Sequence, residues 1–205
     1  MIRNLIFDFG QVLIRFEPIE MIRPYVSDPD DGELLAQVLF DRLYWDRLDD
    51  GTITDEELMA AAKVRLPERL HAAAEQIYGN WYRHLPPIPG MWELAERMRK
   101  DYRLHTYLLS NISKGFAAHA DLFPVLRGMD GCVFSAVCGL TKPHAGIFAY
   151  LCGTYRLDPA ECLFIDDNPR NTAGAEAFGI RAYRFDGDVS ALERYLERIL
   201  TCPDT

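Results

Sequence analysis

Four short stretches of this chain place chemically capable groups at the ends of apolar runs. Asp8 follows Leu5-Ile6-Phe7, Ser110-Asn111 follows Tyr107-Leu108-Leu109, and Asp166-Asp167 follows Leu163-Phe164-Ile165. Lys142-Pro143 stands just after a further short run at 132–135. Brought to one edge, they would make a cluster of three carboxylates, a hydroxyl and an ammonium. Acids crowded in this way repel one another unless a cation neutralises them. Hard oxygen ligands of this kind suit Mg²⁺, which keeps waters and binds through one or two carboxylates. Taken singly, each residue also has an ordinary reading, as a turn former, a helix cap or a surface lysine. Their recurrence at successive strand ends makes the ordinary reading hard to hold.

The elements that must position them follow from the hydrophobic pattern. From residue 87 onward the chain alternates helix and strand. Helices are expected at about 91–100, 113–123 and 145–155, with strands at 104–109, 132–135 and 163–165. Asn168 caps the next helix with Pro169 at its first position. A strand at 181–185 and a final helix complete the series. Such alternation predicts an α/β fold, a Rossmann-like parallel sheet with helices on both faces, whose strands present ligands at their carboxyl ends. Between the first strand and the stiff Pro86-Pro87-Ile88-Pro89-Gly90 stretch the texture is helical. Leu34, Leu35, Val38, Leu39 and Leu43 recur at helical spacing, Thr54-Asp55-Glu56-Glu57 reads as a capping box, and another helical stretch covers about 67–81. The expected division is a core of residues 1–15 and 87–205, interrupted by a helical cap at 16–86.

With these four stretches in order, the chain resembles the haloacid dehalogenase (HAD) superfamily, most of whose members are phosphatases. The first motif of that family corresponds to Ile6-Phe7-Asp8-Phe9-Gly10-Gln11-Val12-Leu13, and the second to Tyr107-Leu108-Leu109-Ser110-Asn111. Gly139-Leu140-Thr141-Lys142-Pro143 matches the third, and Phe164-Ile165-Asp166-Asp167-Asn168-Pro169-Arg170-Asn171 the fourth. The resemblance implies that Asp8 is a nucleophile forming an aspartyl-phosphate. It also implies that Ser110 and the Asn111 amide hold a phosphoryl oxygen, and that Lys142 neutralises charge on both. Mg²⁺ would be bound by Asp8, the Gly10 carbonyl and Asp167, with Asp166 a ligand through water or a support.

Gly10 departs from the family pattern, which has a second Asp there that protonates the leaving alcohol, a task worth roughly 10²–10⁴-fold. A similar Asp-x-Gly motif marks a subgroup related to sugar-phosphate phosphatases and to the phosphatase half of epoxide hydrolases. Three explanations fit. A cap residue supplies the acid, with Asp41, Asp46, His71 and His84 as candidates. Alternatively, the substrate has a good leaving group, such as a sugar anomeric phosphate, which asks for no unseen residue. Or the protein is a slow or non-catalytic phosphate-binding homologue. Phe40, Tyr44, Trp45, Trp81 and Tyr82 are candidate cap lining, and Arg15, Arg42 and Arg47 candidate anion partners; the aromatics equally suit the cap's own core. His105 and His119 read as structural or solvated.

Two other families, one enzymatic and one signalling, use similar residues. A metal-independent haloacid dehalogenase shares the aspartate nucleophile, but usually carries serines where Asp166-Asp167 stand. A signalling receiver domain has its acid pair after the first strand, the reverse of the order here, and has no counterpart to the insert.

The 205 residues carry a formal net charge of −9 and are 49% hydrophobic, ordinary for a chain with a sizeable core. The acidic balance argues against nucleic acid as partner. Residues 16–86 hold 15 Asp or Glu against seven Lys or Arg, so the surplus lies almost wholly in the expected cap. No apolar run approaches the ~18 residues of a membrane span, and Asp8 interrupts the N-terminal apolar stretch too early for a secretory signal. Five cysteines (132, 138, 152, 162 and 202) without CxxC spacing suggest buried thiols in a reducing cytoplasm. The expected partner is a small phosphorylated metabolite, handled by a monomer or homodimer.

Overall fold

The computed structural model describes residues 1–201, apart from the side chain of His84; Cys202 lies outside the described residues. Five short strands form one parallel sheet in the order β3-β2-β1-β4-β5: β1 (Asn4–Phe7), β2 (His105–Ser110), β3 (Gly131–Phe134), β4 (Cys162–Asp166) and β5 (Arg181–Arg184). The central runs Leu5–Phe7, Tyr107–Leu109 and Leu163–Ile165 are apolar because both faces of the sheet are covered there, whereas the edge strand β5 carries Arg181 and Arg184 at its exposed ends. In β1, Leu5 and Phe7 enter one core layer and Ile6 the other. The first layer is closed by α6 (Met91–Asp101) and α12 (Val189–Thr201), through Met91, Leu94, Met98, Leu192 and Leu196. The second is closed by α10 (Ala145–Tyr155) and α11 (Pro169–Phe178), through Ile147, Phe148, Leu151 and Ala175.

Between β1 and α6 the chain is helical: α1 (Pro18–Ile22), α2 (Pro29–Leu39), α3 (Arg42–Asp49), α4 (Asp55–Arg65) and α5 (His71–Asn80), with 3-10 turns at Glu68–Leu70 and Trp81–His84. These helices share a small core of their own, in which Leu35, Leu39, Ala74 and Ile77 are fully buried. The capping box forms as expected, the Glu57 amide donating to Thr54 Oγ1 at 3.2 Å and the Thr54 amide to Glu57 Oε2 at 2.8 Å.

Three elements differ from the sequence expectation. Leu43 does not continue the helix of Leu34–Leu39: Asp41 turns extended, accepts from the Leu43 amide at 2.9 Å and starts α3 afresh. Leu43 is then 67% exposed, while Trp45 and Leu48 take the buried face. The expected helix over 113–123 is broken into α7 (Lys114–Ala117), a 3-10 turn at Ala120–Leu122 and, after Phe123, α8 (Pro124–Arg127). Pro124 forces Phe123 into extended geometry. The break lets Phe116 and Phe123 both pack on Phe9, with ring centroids 4.8 and 5.0 Å away. The chain after β3 also folds into one short turn of helix, α9 (Ser135–Cys138).

Candidate active site

β1 and β4 are neighbours at the point where the strand order reverses, the place at which parallel sheets open a crevice. Asp8 leaves β1 there, its amide donating to the Ile165 carbonyl at 2.9 Å. Asp166 is the last residue of β4 and is fully buried. Lys142 reaches between them, with Nζ 2.8 Å from Asp8 Oδ1 and 2.7 Å from Asp166 Oδ2, and its side chain is 1% exposed.

Each partner is held by further bonds. The Asn111 side chain clamps the Lys142 backbone, accepting from its amide at 2.9 Å and donating to its carbonyl at 3.0 Å. Asp166 Oδ1 also accepts from the Asn168 amide at 2.8 Å, and both its oxygens lie 3.1 Å from Asn171 Nδ2. The Phe9 amide donates to Asp8 Oδ1 at 2.7 Å, the same oxygen that Lys142 addresses. Helix α11 closes tightly under the lysine loop, since a Cβ at Gly174 would stand 2.3 Å from the Pro143 carbonyl oxygen.

The electrostatics follow from this packing. Burial pushes the Asp8 carboxyl up to about 7, with Asp166 adding to the rise and Lys142 opposing it. Burial and then Asp166 also raise Asp167. Burial disfavours the Lys142 ammonium, but the Asp8 and Asp166 carboxylates outweigh it and the group is held above its ordinary value. Three carboxylates thus face one ammonium, and the cluster is short of positive charge.

Asp8, Asp166 and Asp167 each offer an oxygen within 4.8 Å of the others. With both Asp166 oxygens already accepting from Lys142, the Asn168 amide and Asn171, Asp8 and Asp167 are the less encumbered carboxylates. This hard, negatively charged oxygen set fits a divalent cation. Gly10, Ser110 and Asn111 join Asp8, Lys142 and Asp167 in lining one cleft of about 590 Å³.

The far wall comes from the helical segment. Phe16, Phe40, Trp45 and Trp81 line it and form a continuous ring cluster, with Trp45 and Trp81 centroids 5.3 Å apart and Trp81 stacked 5.6 Å from Phe116. Arg42 and Asp46 line it as a pair 3.1 Å apart, and Asp49 lies beside them. Tyr44 instead lies under the Arg65 guanidinium, 5.6 Å from its ring centre, and Tyr82 stacks on His119 at 4.5 Å. Arg15 and Arg47 are not among the residues lining the cleft.

Of the candidate acids, Asp41 caps α3 and pairs with Arg65 at 2.7 Å, and His71 faces the Lys63 and Leu66 carbonyls at 3.0 and 3.1 Å. Neither lines the cleft; Asp46 does, and the His84 side chain lies outside the described residues. His105 pairs with Asp130 at the surface, and His119 Nδ1 bonds the Gly115 carbonyl at 2.8 Å.

Sequence reasoning passed over three residues. Asn171 sits one turn into α11, a legible position once Asn168 is taken as cap. Ser135 is fully buried, accepts from the Ile112 amide at 2.8 Å and donates to the Asp49 carbonyl, so it ties three segments together. Asp49 itself reads in sequence as part of an Asp-Asp-Gly turn, and nothing local marks it as buried.

The family model described as haloacid dehalogenase-like hydrolase matches residues 2–179. Among curated proteins, a drimenol cyclase of Aspergillus calidoustus is 26% identical over 211 residues; the match covers 99% of this chain but only 37% of the cyclase. The D-ribitol-5-phosphate phosphatase of Bacteroides thetaiotaomicron is 24% identical over 203 residues, covering 90% of this chain and 92% of that one. Among solved structures, a HAD family enzyme from Bacteroides thetaiotaomicron in complex with magnesium and inorganic phosphate matches with a TM-score of 0.69. Its identity is 21%, over 94% of this chain and 99% of that one.

Proposed function

The chain belongs to the haloacid dehalogenase-like hydrolase family, and from that premise we propose that it is a Mg²⁺-dependent phosphomonoester hydrolase. The observation that carries this reading is the charge balance at the strand ends, three carboxylates gathered around one buried ammonium. A phosphate dianion would be repelled there unless a divalent cation joined it. Asp8, the Gly10 carbonyl and Asp167 are the residues proposed to hold that cation. When bound, Mg²⁺ would supply charge neutralisation between nucleophile and phosphate.

The remaining work falls to the chain. Asp8 Oδ1 is occupied by Lys142 and the Phe9 amide, so Oδ2 is the oxygen proposed to attack phosphorus. Phosphoryl transfer to it gives an aspartyl-phosphate, which water then hydrolyses. Ser110 and the Asn111 backbone amide bind a phosphoryl oxygen, and Lys142 carries the neutralising charge. Asp166 acts as the support that keeps Lys142 in place. Residues 16–86 form a cap that closes on the core of 1–15 and 87–205, excludes water and reads the leaving group. A small metabolite such as a sugar phosphate suits the cleft, in which Arg42 and Asp46 offer polar contacts beside an aromatic wall. The phosphatase named among the relatives supports the same substrate class.

The test is a release assay with and without Mg²⁺, offering p-nitrophenyl phosphate, several sugar phosphates and a 2-haloacid. Phosphate release that requires Mg²⁺ is the expected outcome. Halide release without metal would favour a dehalogenase instead, and no turnover of any ester would leave a phosphate-binding homologue.

A further inference from the structure

We propose that Asp49, at the C-terminal end of α3, is the catalytic proton donor to the leaving group, doing the work that Gly10 leaves undone. The proposal rests on the phosphomonoester reading above and adds the residue that completes it.

Asp49 lines the same cleft as Asp8, Gly10 and Lys142, but from the opposite wall. It is 8% exposed, and its Oδ1 has no hydrogen-bond partner among the described residues. A buried polar atom left unpaired carries a desolvation cost, which a substrate oxygen arriving in the cleft would offset. Its position is fixed from both sides. The Asp49 carbonyl accepts from Ser135 Oγ in the core. The turn that follows brings Gly51, at φ +76°, so close to the core that a Cβ there would stand 2.9 Å from the Ala136 carbonyl oxygen. A side chain at Gly10, by contrast, would meet nothing within 4 Å. The first-motif side of the cleft is therefore open where the family's acid would otherwise stand.

Its surroundings favour the protonated form. Asp49 ends its helix, where the peptide dipoles disfavour a negative charge. Asp46 and Arg42 face it from α3, Asp8 and Lys142 from the sheet edge, and Tyr78 from α5. Burial first, and then Asp46 and Asp8, push its carboxyl up to about 8 against the pull of Arg42 and Lys142. At neutral pH it therefore carries a proton to give.

The two half-reactions balance. As Asp8 attacks, the bond from phosphorus to the leaving oxygen breaks, and that oxygen takes the Asp49 proton to depart as the alcohol. Water then attacks the aspartyl-phosphate, and its proton passes to the Asp49 carboxylate. Inorganic phosphate, free Asp8 carboxylate and protonated Asp49 are restored.

The experiment compares kcat/KM of wild type and Asp49→Asn, with Mg²⁺, on a primary alkyl phosphate and on p-nitrophenyl phosphate. The first needs leaving-group protonation and the second barely does. The expected loss is about a hundredfold or more on the alkyl ester and less than about tenfold on the nitrophenyl ester. An equal loss on both, or none on the alkyl ester, overturns the proposal. The double variant Asp49→Asn with Gly10→Asp is expected to recover alkyl phosphate turnover, which repair of a merely structural defect would not do. A folded double variant without recovery also overturns the assignment. If wild type hydrolyses neither ester, the phosphatase reading itself fails, a result distinct from all of these.

Discussion

Lys142 is wedged between two carboxylates, and everything around it serves to keep a charged group where water cannot. Asn111 holds its backbone, Asp166 its ammonium, and Asn171 holds Asp166 in turn. Such nested bonds are what a buried charge requires, because each unpaired member would carry its full desolvation cost. Asp49 stands outside that network, and its protonation should be visible in stability. Its folded carboxyl lies above the ordinary value, at about 8, so the native state binds a proton that the unfolded chain releases. Stability is then greatest below the ordinary carboxylate range and is lost as pH rises toward about 8. Asp8 and Asp167 are raised as well and act in the same direction in metal-free protein. Urea midpoints of metal-free Asp49→Asn, measured between about pH 5 and pH 8, should fall less steeply than those of wild type. Parallel slopes would mean that Asp49 is ionised in the folded state.

At the scale of single elements, local chemistry was legible where caps and breakers are strong. Asn168-Pro169 starts α11 as read, and Thr54 builds its capping box. Thr54→Ala should cost about 1 kcal/mol by urea unfolding; a change within a few tenths would show that packing alone sets the start of α4. The misread elements failed for identifiable reasons. Leu43 keeps the helical spacing of Leu39, but Asp41 interposes a cap, and periodicity cannot see a restart that preserves phase. The break within 113–123 serves the packing of Phe116 and Phe123 on Phe9, a contact between distant segments that local spacing does not display. Gly174 belongs to the same class, since its role appears only when α11 meets the lysine loop. Gly174→Ala should displace Pro143 and with it Lys142, lowering kcat at least about tenfold, given how steeply rate depends on catalytic geometry. An unchanged kcat would show that the loop can yield.

Across the whole molecule, the alternation of strands and helices matches the observed sheet, and the four motifs come together at one edge of it. Both are local signals repeated in order, which a sequence displays well. The wall opposite that edge was less legible. Phe40, Trp45, Trp81 and Arg42 line the cleft as expected, but Tyr44 and Tyr82 do not, because a tyrosine on a helix gives no sign of which neighbour it will meet. Asp49 was hidden for the same reason: its burial is created by Ser135 and Ala136, more than eighty residues away. The acidic surplus of residues 16–86 is thus more than a solvated surface, since one of its carboxyls, Asp49, lies buried in the wall of the cleft. In the proposed function Asp8 is the nucleophile of a Mg²⁺-dependent phosphatase. Phosphate release from p-nitrophenyl phosphate by wild type and Asp8→Asn, at saturating Mg²⁺, tests it most directly. A nucleophilic Asp8 implies a loss of at least about a thousandfold in kcat for the folded variant, whereas activity within about tenfold of wild type would rule out that role.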